Sequence, residues 1–192
     1  VGPDGRGTIS LQTGVFQLGV GGVQTIAFAV VSPTRALVTE FDTSNASGSL
    51  DQQTTADFTA ASISGGYAFL FTGADYNNGN SPTDFGGVFT AAGSGLTFTG
   101  TKDTNDNLEG TPTVTENAAF SGTFTAPDST FGRGTFTGGD GSSYVYYVVN
   151  SGFLKFGETD LSFLGTGPAD AQGGSFASGT TYVFTVGGIS AI

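Results

Sequence analysis

The chain repeats itself out of phase with its own ends. Gly5-Arg6-Gly7-Thr8 returns as Gly132-Arg133-Gly134-Thr135. Val30-Val31 and Glu40-Phe41-Asp42 return 118 residues later as Val148-Val149 and Glu158-Thr159-Asp160. Gly65-Gly66-Tyr67-Ala68-Phe69 returns loosely as Gly179-Thr180-Thr181-Tyr182-Val183-Phe184. A period of about 115 to 127 residues in a chain of 192 leaves a half unit over 1–60, a complete unit over 61–178 and a single strand within 179–192. A repeat unit that cannot bury its own face needs a neighbour to cover it. The phase of the repeat therefore points to assembly before it points to chemistry.

The residues between the repeats are those of strands and turns. The 18 Phe and 6 Tyr recur along the whole chain, which a disordered segment would not show, and 33 Gly punctuate them. Strand-like runs alternate with Gly/Asp/Asn/Ser turns, an all-β pattern. In the complete unit the pattern predicts eight strands: 67–72, 86–91, 96–102, 119–125, 134–137, 144–149, 154–158 and 173–177. Residues 1–53 hold the equivalents of the last four. With a strand at 181–187, the expectation is about thirteen strands, internally duplicated, with the join at 54–64. Short connections favour antiparallel neighbours, so the fold class is an up-and-down meander closing as a barrel or packing as a β-sandwich.

Period-two alternation in Thr97-Phe98-Thr99, Thr123-Phe124-Thr125 and Thr135-Phe136-Thr137 gives one dry and one wet face. Two equivalent runs break it. Ile26–Val31 and Tyr144–Val149 are apolar throughout, and such strands are expected to be covered on both faces.

The charge excludes several classes of function. The five basic residues, Arg6, Arg35, Lys102, Arg133 and Lys155, are scattered singly against 16 acidic ones, so no basic patch for nucleic acid exists. No run of 18 apolar residues suggests membrane insertion. Without Cys or His, disulfides and the Ser-His and Cys-His nucleophile systems are absent. Arg6 and Arg133 are expected at strand starts, paired with a carboxylate or capping carbonyls. Glu40/Asp42 and Glu158/Asp160 place paired carboxylates at i and i+2. Such pairs hydrolyse glycosides when they face each other across a sugar, but on a strand they point the same way, roughly 7 Å apart. A repeated structural role at strand ends suits both copies better.

The metal candidate is the polar run from Asp103 to Gly110, where Asp103, Asn105, Asn107 and Glu109 offer oxygen ligands at alternate positions for Ca2+. The EF-hand pattern fails, because Leu108 stands at its glycine position, and a plain turn is the competing reading. Asp75-Tyr76-Asn77-Asn78-Gly79-Asn80 is a second polar loop. No other cofactor is implied.

At Gly5-Arg6-Gly7-Thr8, Val30-Val31-Ser32-Pro33-Thr34-Arg35-Ala36-Leu37 and Gly65-Gly66-Tyr67-Ala68-Phe69-Leu70-Phe71 the chain resembles the Gly/Thr-rich β-repeat domains of large secreted or surface bacterial proteins, of the acidobacterial type. The resemblance implies an extracellular all-β module without catalysis and supplies no functional residues. The second copy departs from it at Asn150-Ser151-Gly152-Phe153, where the Ser-Pro-Thr-Arg turn is lost.

These readings converge on a non-enzymatic structural protein at the cell surface. It is expected to be a subunit of a pilus-like filament or surface layer that binds copies of itself head-to-tail by strand addition. The assembly residues are Thr181, Tyr182, Val183, Phe184, Thr185 and Val186, a possible donor strand. The alternative is a secreted β-barrel that binds a small apolar ligand, through Phe69, Phe89, Phe98, Phe124 and Tyr146, or a glycan, through Tyr76, Asn77 and Asn78. A glycoside hydrolase ranks last.

Overall fold

The computed structural model describes residues 1–16, 19–42, 46–77, 79–108, 111–174, 181 and 183. The chain is all-β and divides into two compact units, Val1–Gln53 and Thr54–Ile192. The first is an open sheet of four antiparallel strands in sequence order: β1 (Arg6–Gln12), β2 (Val23–Ser32), β3 (Arg35–Glu40) and β4 (Ser47–Asp51). The second is a closed eight-stranded barrel: β5 (Ser64–Asp75), β6 (Ser81–Ala92), β7 (Thr97–Leu108), β8 (Thr111–Phe124), β9 (Arg133–Gly138), β10 (Ser143–Asn150), β11 (Phe153–Glu158) and β12 (Phe163–Ala171). Each barrel strand pairs with the next, and β12 pairs with β5 to close the ring. The complete repeat unit is thus an up-and-down barrel rather than a sandwich.

The dry face turns inward. Phe69, Phe85, Phe89, Phe98, Phe120, Phe136, Tyr144, Tyr146 and Phe156 are buried and interlock, with centroids 4.9 Å apart for Phe69–Phe120 and 4.8 Å for Phe98–Phe136. Offset and edge-on rings at such distances are the favoured aromatic geometry. The rings fill the barrel as a packed core. The five residues expected to line an apolar ligand cavity are part of this core.

Two strand expectations are corrected. The eighth strand is β12, not 173–177, of which 175–177 lie outside the described residues. Its glycines make it look like a loop in sequence, yet they are what allows close strand approach: a Cβ at Gly167 would stand 1.9 Å from the Leu70 carbonyl oxygen. The run 103–108 is likewise the end of β7 rather than a turn. The strand expected at 181–187 lies outside the described residues except Thr181 and Val183.

The join at 54–64 is a plug. It forms two short 3-10 turns, Thr55–Asp57 and Ala60–Ser62, and buries Phe58 and Ile63 in the barrel core. The Thr54 N–H donates to the Val149 carbonyl (2.7 Å), the Ser151 N–H to Asp57 Oδ2 (2.9 Å), and Tyr67 Oη to the Ser151 carbonyl (2.9 Å). Val149 is 5% exposed at this join, whereas Tyr147, also on the outer face of β10, is 41% exposed. The outer face of the apolar β10 is therefore buried only at Val149.

Several hydrogen bonds of the first copy recur in the second. The Thr25 N–H donates to Asp42 Oδ2 (2.6 Å) as the Ser143 N–H does to Asp160 Oδ2 (3.0 Å). The Phe41 N–H meets the Thr25 carbonyl as the Thr159 N–H meets the Ser143 carbonyl, and the Val30 N–H meets Gly5 as the Val148 N–H meets Gly132. The ladder shifts register at the same point, between Val30 and Ser32 and between Val148 and Asn150. Even the substituted turn keeps its cap: the Thr34 N–H donates to Ser32 Oγ, and the Gly152 N–H donates to Asn150 Oδ1. Strands β1–β4 are counterparts of β9–β12.

Candidate functional site

Two features of this architecture could carry function, one in each unit. The first is the barrel mouth opposite the plug. The inward positions of β7 run Phe98, Gly100, Lys102, Thr104, Asp106, so the strand brings its cation and a carboxylate onto the end of the aromatic core. Lys102 Nζ stands 2.8 Å from Asp140 Oδ2, 5.4 Å from the centroid of Phe85 and 5.6 Å from that of Phe120. An ammonium over aromatic faces gains from the ring quadrupole. Asp106 Oδ1 accepts from Ser81 Oγ (2.6 Å) and Thr83 Oγ1 (2.9 Å). Lys102, Asp140, Asp106, Thr83 and Phe85, with Asp75, Glu158, Asp160, Ser162 and Tyr144, line a cavity of about 350 Å3.

Charge is finely divided in this mouth. Burial, the hydrogen bond with Asp160 and that residue's charge together raise Glu158 to about 9. Asp160 also pays a burial cost, but donors from Ser162 (side chain and backbone), Glu158 and the Ser143 N–H outweigh it and lower its pKa to about 2. The pair shares one proton, as adjacent carboxyls do. Among the described residues no donor reaches Glu158 Oε2, which is buried; protonation makes the carboxyl a donor toward Asp160 instead. Burial raises Asp140, but hydrogen bonds from Lys102 and Ser142 bring it below its usual value.

Glu158 and Asp160 do not point in parallel from one strand face: Asp160 follows β11 and turns back to accept the Ser143 N–H, within hydrogen-bonding reach of Glu158. That contact leaves no room for a sugar between them, unlike the carboxylate separations of about 5 to 9.5 Å that glycosidases use. Asp103, Asn105 and Asn107 lie on strand β7, where alternate residues are spread along one face and do not converge as a chelating loop would; Asp103 accepts the Asn117 N–H (2.7 Å). Glu109 lies outside the described residues. Among the described residues no group of three or more acidic side chains is arranged to hold a metal ion. Arg6 and Arg133 do open strands. Arg6 Nε pairs with Asp4 at 2.7 Å, and the Arg133 N–H donates to Asp128 Oδ2. Tyr76 and Asn77 are in the β5–β6 turn, and Asn78 lies outside the described residues. No motif marks the mouth in the sequence; its one signal is a Lys in phase with buried Phe on β7.

The second feature is the open sheet. Its inner face carries Ile9, Leu11, Ile26, Phe28, Val30, Ala36, Val38 and Leu50, in register with barrel residues that are buried. Val30 is 47% exposed where its counterpart Val148 is fully buried, and Val31 is 60% exposed where Val149 is 5% exposed. Among the described residues strands β1 and β4 each have one sheet neighbour, so their outer edges present main-chain donors and acceptors.

Compared with protein-family models, curated proteins and solved structures, the chain matches none of them. Among the described residues no helix is long and apolar enough to cross a membrane.

Proposed function

We propose that the protein is a structural, non-catalytic module of an extracellular or cell-surface assembly, which joins its neighbours by β-sheet pairing on residues 1–53. The observation that carries this reading is the open sheet β1–β4, whose inner face is apolar and whose two edges are unpaired by any strand of the described residues. Apolar surface of this kind is stabilised by removal from water, and an added strand supplies backbone hydrogen bonds along its length. A contact between unlike surfaces that does not close on itself builds a filament of copies of the chain, with the 181–186 segment as the candidate donor. The test is size-exclusion with mass measurement over a wide concentration range, followed by negative-stain microscopy. Concentration-dependent oligomers, reduced in a chain ending at Ser178, support the reading. A monomer at every concentration removes it.

A second reading rests on the mouth. A cavity of about 350 Å3 lined by carboxyls, hydroxyls and Lys102, with Phe85 and Phe163 among its walls, suits a small polyhydroxylated ligand such as a glycan end better than an apolar one. A thermal-shift screen with neutral and acidic oligosaccharides separates the two readings, since a ligand of the native state raises Tm.

A further inference from the structure

We infer that residues 1–53 are the closing half of a second eight-stranded barrel, and that the partner they fit is a Phe-rich four-stranded meander of the kind formed by residues 54–124, supplied by a tandem repeat of the unit. The inference rests on the reading of residues 1–53 as an assembly surface and names what that surface takes.

The barrel shows the pairing directly. Its closing half, β9–β12, meets its opening half, β5–β8, along two seams, β8·β9 and β12·β5. Residues 1–53 reproduce the closing half in strand order, register shift and turn caps. The surfaces that differ are those the opening half covers. In the barrel, Tyr146, Val148 and Leu154 are 0% exposed and Phe156 is 6% exposed. In the sheet, the counterparts Phe28 and Val38 are half-buried, Val30 is 47% exposed, and Leu50, counterpart of the fully buried Ala169, is 45% exposed; Ala36, counterpart of Leu154, is the one that stays buried.

Where residues 54–63 seat against the turn after β10, the counterpart turn of the sheet has a cavity of about 390 Å3 lined by Val30, Ser32, Thr34, Ala36, Leu50 and Gln52. In the barrel that place receives the Thr54 N–H, the Asp57 carboxylate and the Tyr67 hydroxyl. The partner therefore brings a plug as well as strands.

Side-chain volume selects an opening half over a second closing half. A barrel interior packs to crystal-like density. To the inside the sheet offers one aromatic, Phe28, among aliphatic side chains and Gly7, where the closing half of the barrel offers Phe136, Tyr144, Tyr146 and Phe156, and two such halves would leave the centre underfilled. The opening half supplies Tyr67, Phe69, Phe71, Phe85, Phe89, Phe98 and Phe120, which is the complement small residues need. In tandem the two halves meet at the millimolar effective concentrations typical of short linkers.

The chain has no Cys, so single thiols report cleanly. Val30→Cys probes the inner face and Val31→Cys the plug site, in the full chain and in the full chain preceded by a copy of residues 54–127. Both thiols are expected to react at least tenfold more slowly in the extended protein, with added protection from hydrogen exchange in β1 and β4. The exchange measurement, repeated without a Cys substitution, covers a variant that folds poorly. Unchanged reactivity and exchange, with the added segment open to protease, overturn the inference. Slowed exchange along one edge with Val30→Cys still reactive leaves sheet-pairing assembly standing but overturns the four-strand partner. Protection already present in an unextended dimer overturns it in favour of a second copy. A monomer at every concentration that is also unprotected when extended removes both readings.

Discussion

The ring of Tyr146 occupies the space that a Cβ at Gly134 would need: the added carbon would stand 2.5 Å from ring atoms Cε1 and Cζ and from Oη. Gly7 and Phe28 repeat the relationship, also at 2.5 Å. The second glycine of the Gly-Arg-Gly-Thr motif is thus a slot for an aromatic ring from the adjacent strand. Tyr146 cannot swing away cheaply, because its hydroxyl donates to the Thr125 carbonyl at 2.7 Å.

Gly134→Ala is therefore expected to destabilise the barrel by about 1–3 kcal/mol, the range for overpacking a core. Gly157→Ala is the control. Its Cβ would meet only methyl carbons of Val145 and Thr166, at 3.7 and 3.9 Å, and it should be neutral or stabilising by up to about 1 kcal/mol. Urea unfolding at one pH measures both.

Stability should fall as pH rises through the neutral range. Glu158 has a folded-state pKa raised from 4.5 to about 9. Between those values the unfolded chain has lost a proton that the native chain retains, so each pH increment favours unfolding. Asp160 acts oppositely: its pKa, lowered from 3.8 to about 2, contributes stability above 3.8 that is lost as pH falls toward 2. The maximum contribution from this pair lies near pH 4 to 5. Glu158→Gln, which imitates the protonated acid, should flatten the decline between pH 5 and 9. Tm against pH for both proteins measures it, and parallel curves would show that Glu158 does not titrate as described.

Lys102→Met keeps the stem over Phe85 and Phe120 but leaves the carboxyls of the mouth without their cation. A loss of about 1–3 kcal/mol is expected, with Asp140→Asn recovering part of it in the double variant. A coupling energy of at least about 0.5 kcal/mol in the cycle is the signature of contact. Strict additivity would place the Lys102–Asp140 pair in solvent.

Asp160→Ala should release the Ser143 N–H at the start of β10 and speed its exchange, while leaving Tyr147, at the centre of the strand, protected. Equal effects at both amides would indicate loss of the whole strand rather than of a cap.

The sequence shows its barrel wherever Phe and Thr alternate, and β10 and β11 lie within a residue of the expected spans. It hides β12, because Gly165, Gly167 and Pro168 read as punctuation and their use, close packing against β5, depends on a strand distant in sequence. It hides the end of β7 for a related reason. Asp103, Asn105 and Asn107 are turn formers by intrinsic preference, and pairing with β6 and β8 overrides that preference. The mouth is assembled from strand ends and turns spread along the chain from Asp75 to Phe163, so only Lys102 and Glu158, polar residues in phase with buried aromatics, mark it in one dimension. The duplication is the most legible feature, because it needs no knowledge of tertiary contacts.

That duplication sets up a contest during folding. Among the described residues the closing half occurs twice, as β1–β4 and β9–β12, and the opening half once, as β5–β8. β4 precedes β5 in the chain by only the plug, whereas β12 reaches β5 after the whole barrel has been traced. Local pairings form fastest, so β5 can be captured early by β4, giving a permuted intermediate in which the wrong sheet holds the aromatic strands. The larger side chains of β9–β12 make the observed partition the more stable one, and reaching it from the permuted state requires breaking a β-seam. Refolding is expected to show a slow phase that disappears when residues 1–53 are deleted.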